Sequence, residues 1–124
     1  MIFDLMRRIM SLFAALLSLL NFNSQKTNVE LYHNPSSGYI WEYEMDKSGI
    51  LSYSDSHYTP DSGSVLSGKG GGTKYYTFKA IGTGTVNITF RYYRYEKTEK
   101  IVASQYVYTY IVDEDGVITL KNIQ

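Results

Sequence analysis

Two histidines, His33 and His57, and a plentiful supply of serines are the side chains of this sequence that best suit catalysis or metal binding. Neither histidine has a carboxylate partner at a spacing typical of a metal site. The serines lie in neither a G-x-S-x-G nor an S-x-x-K motif, and a nucleophilic serine needs a base within hydrogen-bond reach. We therefore predict that the protein is not an enzyme and has no metal site.

A glycine-rich segment with the sequence GKGGGT, residues 68–73, resembles a phosphate-binding loop only superficially. It lacks the Lys-Ser/Thr ending of a P-loop, and a predicted strand follows it where phosphate binding uses a helix N-terminus. The sequence contains no cysteine, which excludes thiol catalysis, disulfides and thiolate metal sites. We expect no cofactor.

Three segments instead have the character of an interaction surface. In the first, Asn34–Tyr39, proline fixes φ, asparagine and serine can bond their own backbone, and glycine permits a positive φ. The second, Gly68–Thr73, is backbone with few side chains. In the third, Arg91–Glu96, tyrosines alternate with arginines, and these residue types often carry the binding energy of interfaces. All three are predicted to be loops.

The elements that must position these segments are β-strands. From residue 23 onward the chain is rich in Tyr, Thr and Val, which suit strands better than helices. The alternation in TVNITFR places Val86, Ile88 and Phe90 on one face. Strands are predicted over residues 28–33, 39–45, 49–55, 73–80, 85–93, 104–113 and 117–121, which indicates a β-sandwich or barrel. The side chains expected in its core are Trp41, Tyr76, Phe78, Val86, Ile88 and Phe90.

The first 22 residues differ from the rest. Arg7 and Arg8 precede an uncharged stretch, Ile9–Leu20, that is too short to span a bilayer comfortably, since a spanning helix needs roughly 20 apolar residues. A basic pair before such a stretch is typical of a secretory signal peptide, and a buried or amphipathic N-terminal helix is the alternative. We expect residues 1–22 to be a leader, with no stable membrane span after its removal, and we expect a secreted or cell-envelope location.

Length and charge limit the choice of partners. The chain of 124 residues has the size of one domain, which we place at residues 23–124, and we expect a monomer. Lysine plus arginine number 12, as do aspartate plus glutamate. Because nucleic-acid binding needs a basic surface that displaces counterions, nucleic acid is not an expected partner.

The three segments, in this order on a β-rich chain, resemble the chagasin-type inhibitors of papain-like cysteine peptidases. The family pattern is N-P-[ST]-T-G-[YF], then G-x-G-G, then R-P-W, and this sequence has NPSSGY, GKGGGT and RYYRYE. The resemblance extends over residues 29–112 and includes KAIGTGTVNITFRY between the second and third segments. It implies an immunoglobulin-like β-sandwich of about seven strands.

The resemblance also implies how such a protein inhibits. The first segment would enter the active-site cleft of a papain-like cysteine peptidase and bring Ser36 and Ser37 to its catalytic Cys and His. The other two segments would bind the walls of the cleft. The residues implied to contact the peptidase are Asn34, Pro35, Ser36, Ser37, Gly38, Tyr39, Gly68, Gly70, Gly71, Gly72, Arg91, Tyr93, Arg94 and Tyr95.

This sequence departs from the family pattern at several places. Ser37 replaces a threonine, and the extra glycine lets the second motif fall on residues 68–71 or on the frame ending at Thr73. The family carries about two strands before its first motif, whereas residues 23–33 have room for one, so the first strand is either missing or supplied by leader residues. The third segment has neither Pro nor Trp, which leaves the equivalents of the family's Arg and Trp open among Arg91, Arg94, Tyr93 and Tyr95.

Two other functions fit the same pattern. Asn-Pro-Ser-Ser-Gly is also an ordinary turn, and tyrosine-rich strands are common in exported β-domains. The chief alternative is an exported immunoglobulin-like adhesion or carbohydrate-binding module, in which exposed tyrosines stack on sugar rings. The other is a structural β-domain of an envelope assembly that pairs through a free sheet edge.

Overall fold

A computed structural model describes residues 25–63 and 70–124, and this part of the chain is a sandwich of two antiparallel sheets. One sheet has three strands in the order β1-β4-β3, and the other has four in the order β2-β5-β6-β7. The predicted all-β sandwich is confirmed. The strands are β1 (Lys26–His33), β2 (Ile40–Met45), β3 (Leu51–Pro60), β4 (Gly72–Ala80), β5 (Gly84–Glu96), β6 (Glu99–Val112) and β7 (Ile118–Ile123).

The core lies between the sheets and follows from period-two alternation along β4 and β5. Phe78, Val86, Ile88 and Phe90 are fully buried, as predicted, and Tyr76 is nearly so. Trp41 was expected in the core but is only partly buried. Its indole nitrogen donates a hydrogen bond of 2.8 Å to the Tyr32 carbonyl, because the amphipathic ring sits where the core meets solvent.

The connection from β1 to β2 crosses from the three-stranded sheet to the four-stranded sheet at one end of the sandwich. At this end His33, the last residue of β1, pairs with Gly72, where β4 begins. Ile40, the first residue of β2, pairs with Tyr93 near the end of β5. The topology therefore brings the Asn34–Tyr39 turn, the glycines before β4 and the last part of β5 together.

The segment Arg91–Glu96 is not a loop, which corrects the prediction from sequence. It continues β5 to Glu96 and pairs with β6, and the chain turns only at Lys97 and Thr98, where Lys97 has a positive φ of 57°. The alternation of Arg and Tyr is itself a strand pattern, since aromatic residues favour strands and successive side chains point to opposite faces. β3 also runs past its predicted end at residue 55, to Pro60, and β6 begins at Glu99 rather than at residue 104.

The predicted leader, residues 1–22, lies outside the described residues. The prediction that leader residues supply a first strand falls on the same residues. Within residues 25–63 and 70–124, no helix has the length and apolar character needed to cross a membrane.

Candidate functional site

The turn between β1 and β2, which we call the NPSSG turn (Asn34–Tyr39), is a single turn of 3-10 helix over Pro35–Ser37. Asn34 caps this turn, because its side-chain oxygen accepts a hydrogen bond of 3.1 Å from the Ser36 amide. Gly38 ends it with a left-handed φ of 80°, a conformation that glycine adopts without steric cost. The sequence therefore specifies a compact, closed turn.

The two serine hydroxyls of the turn make hydrogen bonds inside it. The Ser36 hydroxyl donates to Asn34 Oδ1 at 2.7 Å. The Ser37 hydroxyl donates to the Asn34 carbonyl at 2.6 Å and accepts from the Tyr39 amide at 3.2 Å. These bonds fix the backbone, so that the exposed tip of Pro35, Ser36 and Gly38 has one shape.

Tyr92 on β5 contacts the NPSSG turn and stabilises it. Its hydroxyl accepts a hydrogen bond of 2.9 Å from the Asn34 amide and lies 3.3 Å from the Ser37 hydroxyl. Its ring stacks on Tyr39 and Trp41, with centroid distances of 5.3 and 4.7 Å. Tyr92 was not among the predicted site residues. Its position two residues after Phe90 indicated a buried tyrosine, whose hydroxyl then needs a partner.

His33 belongs to the same support. Its Nδ1 lies 3.2 Å from the Tyr92 hydroxyl, and its ring packs edge-on against Tyr58 and Tyr92. Burial lowers the pKa of His33, and the charge of Lys74 lowers it further, so the neutral imidazole is favoured. No group of His, Asp or Glu side chains suited to a metal ion occurs among the described residues.

On the peptidase inhibition that the family resemblance implies, we expect Tyr92→Phe to raise the inhibition constant about tenfold while the fold remains intact. The change keeps the stacked ring and removes a hydroxyl that holds the turn through Asn34 and Ser37, and each such hydrogen bond stabilises by about 0.5–1.5 kcal/mol. The measurement is inhibition of one cysteine peptidase together with thermal unfolding. Tyr106→Phe on β6 is the matched control, and equal constants for both variants would show that Tyr92 does not position the turn.

Gly70, the first described residue of the glycine-rich segment, lies directly against the NPSSG turn. A Cβ atom on Gly70 would come closer than 3.0 Å to Asn34 Oδ1 and would lie 2.7 Å from the Ser36 hydroxyl. Gly71 and Gly72 are buried, and Gly72 already belongs to β4, as does Thr73. These positions need glycine because other chain segments approach closely: Asn34 and Ser36 lie beside Gly70, and Thr59 and Pro60 lie beside Gly72. Gly68 lies outside the described residues.

The last part of β5 lies on the other side of the turn. The Arg94 guanidinium sits over the Tyr39 ring, 4.9 Å from its centroid, and pairs with Glu96. Tyr95 is 62% exposed, and its ring lies edge-on to Tyr93 at 5.8 Å. Arg94, Tyr93 and Tyr95 are therefore at the same end of the sandwich as the turn.

Arg91 is placed differently. It points to the outer face of the four-stranded sheet, where its guanidinium donates to Glu44 at 2.8 Å and its Nε donates to Gln105 at 3.0 Å. The Glu44 carboxylate raises the pKa of Arg91. Of the two candidate arginines, Arg94 therefore contacts the NPSSG turn, and Arg91 belongs to a surface ion-pair network.

Comparison with known proteins identifies a family and a similar fold. The sequence pattern of the family described as "Chagasin family peptidase inhibitor I42" matches residues 23–112. No curated protein matches the sequence. Among solved structures, the crystal structure of a cysteine protease inhibitor from Entamoeba histolytica has a similar fold, with a TM-score of 0.61 and 24% identity over 74% of this chain and 81% of that chain. The chain belongs to the chagasin family, whose members are peptidase inhibitors and not enzymes.

Proposed function

We propose that this protein inhibits papain-like cysteine peptidases by inserting the NPSSG turn into the active-site cleft. The observation that carries the proposal is the packing of Gly70 against Asn34 and Ser36, which joins two family motifs into one surface. Arg94 over the Tyr39 ring adds the third segment on the other side. Membership of the chagasin family supports peptidase inhibition, and the Entamoeba protein of similar fold is described as a cysteine protease inhibitor.

The turn suits this role because it is small at its tip and rigid at its base. Pro35, Ser36 and Gly38 are exposed, while the Ser37 hydroxyl and the Asn34 carbonyl are already bonded to each other. A surface that is ordered before binding loses little conformational entropy on association, which favours affinity. Ser36 would face the catalytic Cys and His, and Ser37 would hold the shape of the turn beneath it.

The flanking segments would contact the two walls of the cleft. Gly70 offers backbone on one side, and its lack of a side chain allows close approach to the enzyme. Tyr95 and Arg94 offer a large ring and a planar cation on the other side, the kinds of side chain that most often dominate binding energy. Inhibition follows from occlusion of the cleft, and the inhibitor itself is not cut.

The direct test is titration of papain with the protein, followed by residual activity on a small substrate. We expect stoichiometric, substrate-competitive loss of activity, and no effect on a serine peptidase assayed in parallel. Full papain activity at a large excess of the folded protein would contradict the proposal. Binding to immobilised polysaccharide would then be measured, since the carbohydrate-binding alternative rests on the same exposed tyrosines.

We further propose that residues 1–22 are an export leader that places the protein outside the cytoplasm, because a basic pair precedes an uncharged stretch. A variant that lacks residues 1–22 is expected to inhibit with an unchanged constant and to unfold at the same temperature. Thermal unfolding of the two forms, measured with their inhibition constants, checks this. A large loss of stability would mean that residues 13–20 supply part of the core.

A further inference from the structure

Three exposed apolar side chains and the half-buried Tyr93 form one patch on the outer face of the four-stranded sheet, next to the NPSSG turn. Ile40 on β2 is paired with Tyr93 on β5, and Tyr93 is paired with Val102 on β6. Directly opposed residues in a sheet have Cβ atoms about 4.5–5.5 Å apart, so these three form a continuous row. Tyr95, two residues further on, extends it. We call Ile40, Tyr93, Tyr95 and Val102 the outer patch.

The exposure of the outer patch is unusual for large apolar residues that lie together. Ile40 is 53% exposed and Val102 is 43% exposed, alongside the exposed Tyr95. Single exposed apolar side chains are common and need no explanation, whereas contiguous ones mark interaction sites. The other exposed large apolar side chains of the described residues are Tyr32, Tyr53, Ile81, Tyr106, Val117, Leu120 and Ile123. Of these, Ile81 and Val117 lie in connections at the opposite end of the sandwich.

Four charged groups beside the outer patch form ion pairs within the protein. Glu44 binds Arg91 at 2.8 Å, and Glu42 binds Lys100. The Lys100 ammonium also lies 4.4 Å from the centroid of the Tyr93 ring. These paired groups give the patch a polar rim without a net charge to attract a charged partner. An apolar centre with a polar rim is the common anatomy of a protein interface.

We infer that the outer patch is an additional contact surface for the inhibited peptidase and binds an apolar stretch on one wall beside its cleft. The inference rests on the proposed function. Its occupant is the peptidase because the patch shares Tyr95 with the proposed inhibitory surface, and the Tyr95 ring lies edge-on to Tyr93 with a centroid distance of 5.8 Å. A peptidase that contacts Tyr95 would therefore lie beside this row. The patch would therefore select among papain-like peptidases by the polarity of that wall.

The test replaces patch residues by threonine, which keeps the β-branched shape and the strand preference while adding a hydroxyl. Val102→Thr and Ile40→Thr in the full chain are each expected to raise the inhibition constant against papain about fivefold, and the double variant by about twentyfold. Val117→Thr and Ile81→Thr are matched controls with the same chemical change and similar exposure, and both are expected to leave the constant within twofold of the parent.

A third variant, Val102→Lys, tests whether the wall of the peptidase that contacts the patch is apolar or acidic. Val102→Lys is expected to weaken inhibition more than Val102→Thr, because an apolar wall would have to bury the added charge. Tighter inhibition by Val102→Lys would indicate an acidic wall and would overturn the inference. Equal inhibition constants for the parent, Val102→Thr and Ile40→Thr would also overturn the inference about the outer patch. If Gly38→Val still weakens inhibition in that case, the proposed function is retained without it. A parent protein that does not inhibit would overturn both.

Discussion

Replacing Gly38 by valine is expected to raise the inhibition constant against papain by well over tenfold. Gly38 has a φ of 80°, in the left-handed region where a β-branched side chain is strained by about 1 kcal/mol or more. Apart from its two chain neighbours, no atom of the described residues lies within 4 Å of a Cβ built on Gly38, so the variant can fold, and relief of the strain would change the shape of the turn instead. Inhibition constants and circular-dichroism spectra of parent and variant check this.

Two further substitutions distinguish the contribution that the shape of the turn makes to inhibition from the contribution of its hydroxyl groups. Ser36→Ala removes one exposed hydroxyl and its bond to Asn34 Oδ1, and only a modest weakening is expected. Ser37→Trp should weaken inhibition as strongly as Gly38→Val, because the bulky ring would not fit beside the Asn34 carbonyl and the Tyr92 hydroxyl and would change the shape of the turn. Equal constants for the parent and all three variants would mean that the NPSSG turn does not enter the cleft.

The second large effect is expected for Gly70→Ala, which should raise the inhibition constant about thirtyfold, equivalent to about 2 kcal/mol. The added methyl group would occupy the space of Asn34 Oδ1 and displace the side chain that caps the NPSSG turn. Ser36 would lose both of its bonds to that oxygen. Because the substitution changes the shape of the inhibitory surface, the unfolding temperature should change far less than the inhibition constant.

A double-mutant cycle with Asn34→Ala tests this cause directly. Asn34→Ala alone should also weaken inhibition, because it removes the cap. Once the Asn34 side chain has been removed, the methyl group of Gly70→Ala has space, and the second substitution should add little. Additive losses in the two variants would show that Gly70 contributes to inhibition independently of Asn34, for example by direct contact with the peptidase.

Much of the fold was accessible from the sequence because strand patterning is local. The alternation around Val86, Ile88 and Phe90 correctly predicted a buried face, and each of the seven observed strands overlaps a predicted one. The exposed tip of the NPSSG turn was accessible for the same reason, since proline, glycine and a capping asparagine specify their own conformation. The family resemblance rested on these local motifs and on their order.

The remaining features depend on contacts between residues far apart in the chain. Nothing within Arg91–Glu96 shows that β6 pairs with it to the end, so the segment was taken for a loop. The role of Tyr92 arises from hydrogen bonds to residues 58 and 55 positions earlier, Asn34 and Ser37. The conflict between a methyl group on Gly70 and the Asn34 side chain is equally invisible until the sandwich has formed.

The crossing of the NPSSG turn from one sheet to the other has a consequence for folding. The turn joins β1 in the three-stranded sheet to β2 in the four-stranded sheet, and its shape depends on Tyr92 of β5 and on Gly70 just before β4. Non-local contacts form only after the entropy of closing long loops has been overcome. In a folding intermediate with separate hairpins, the turn sequence would be present, but Tyr92 and Gly70 would not yet lie beside it. In refolding, inhibitory activity should therefore return only with docking of the two sheets, and a partly unfolded inhibitor would release its peptidase.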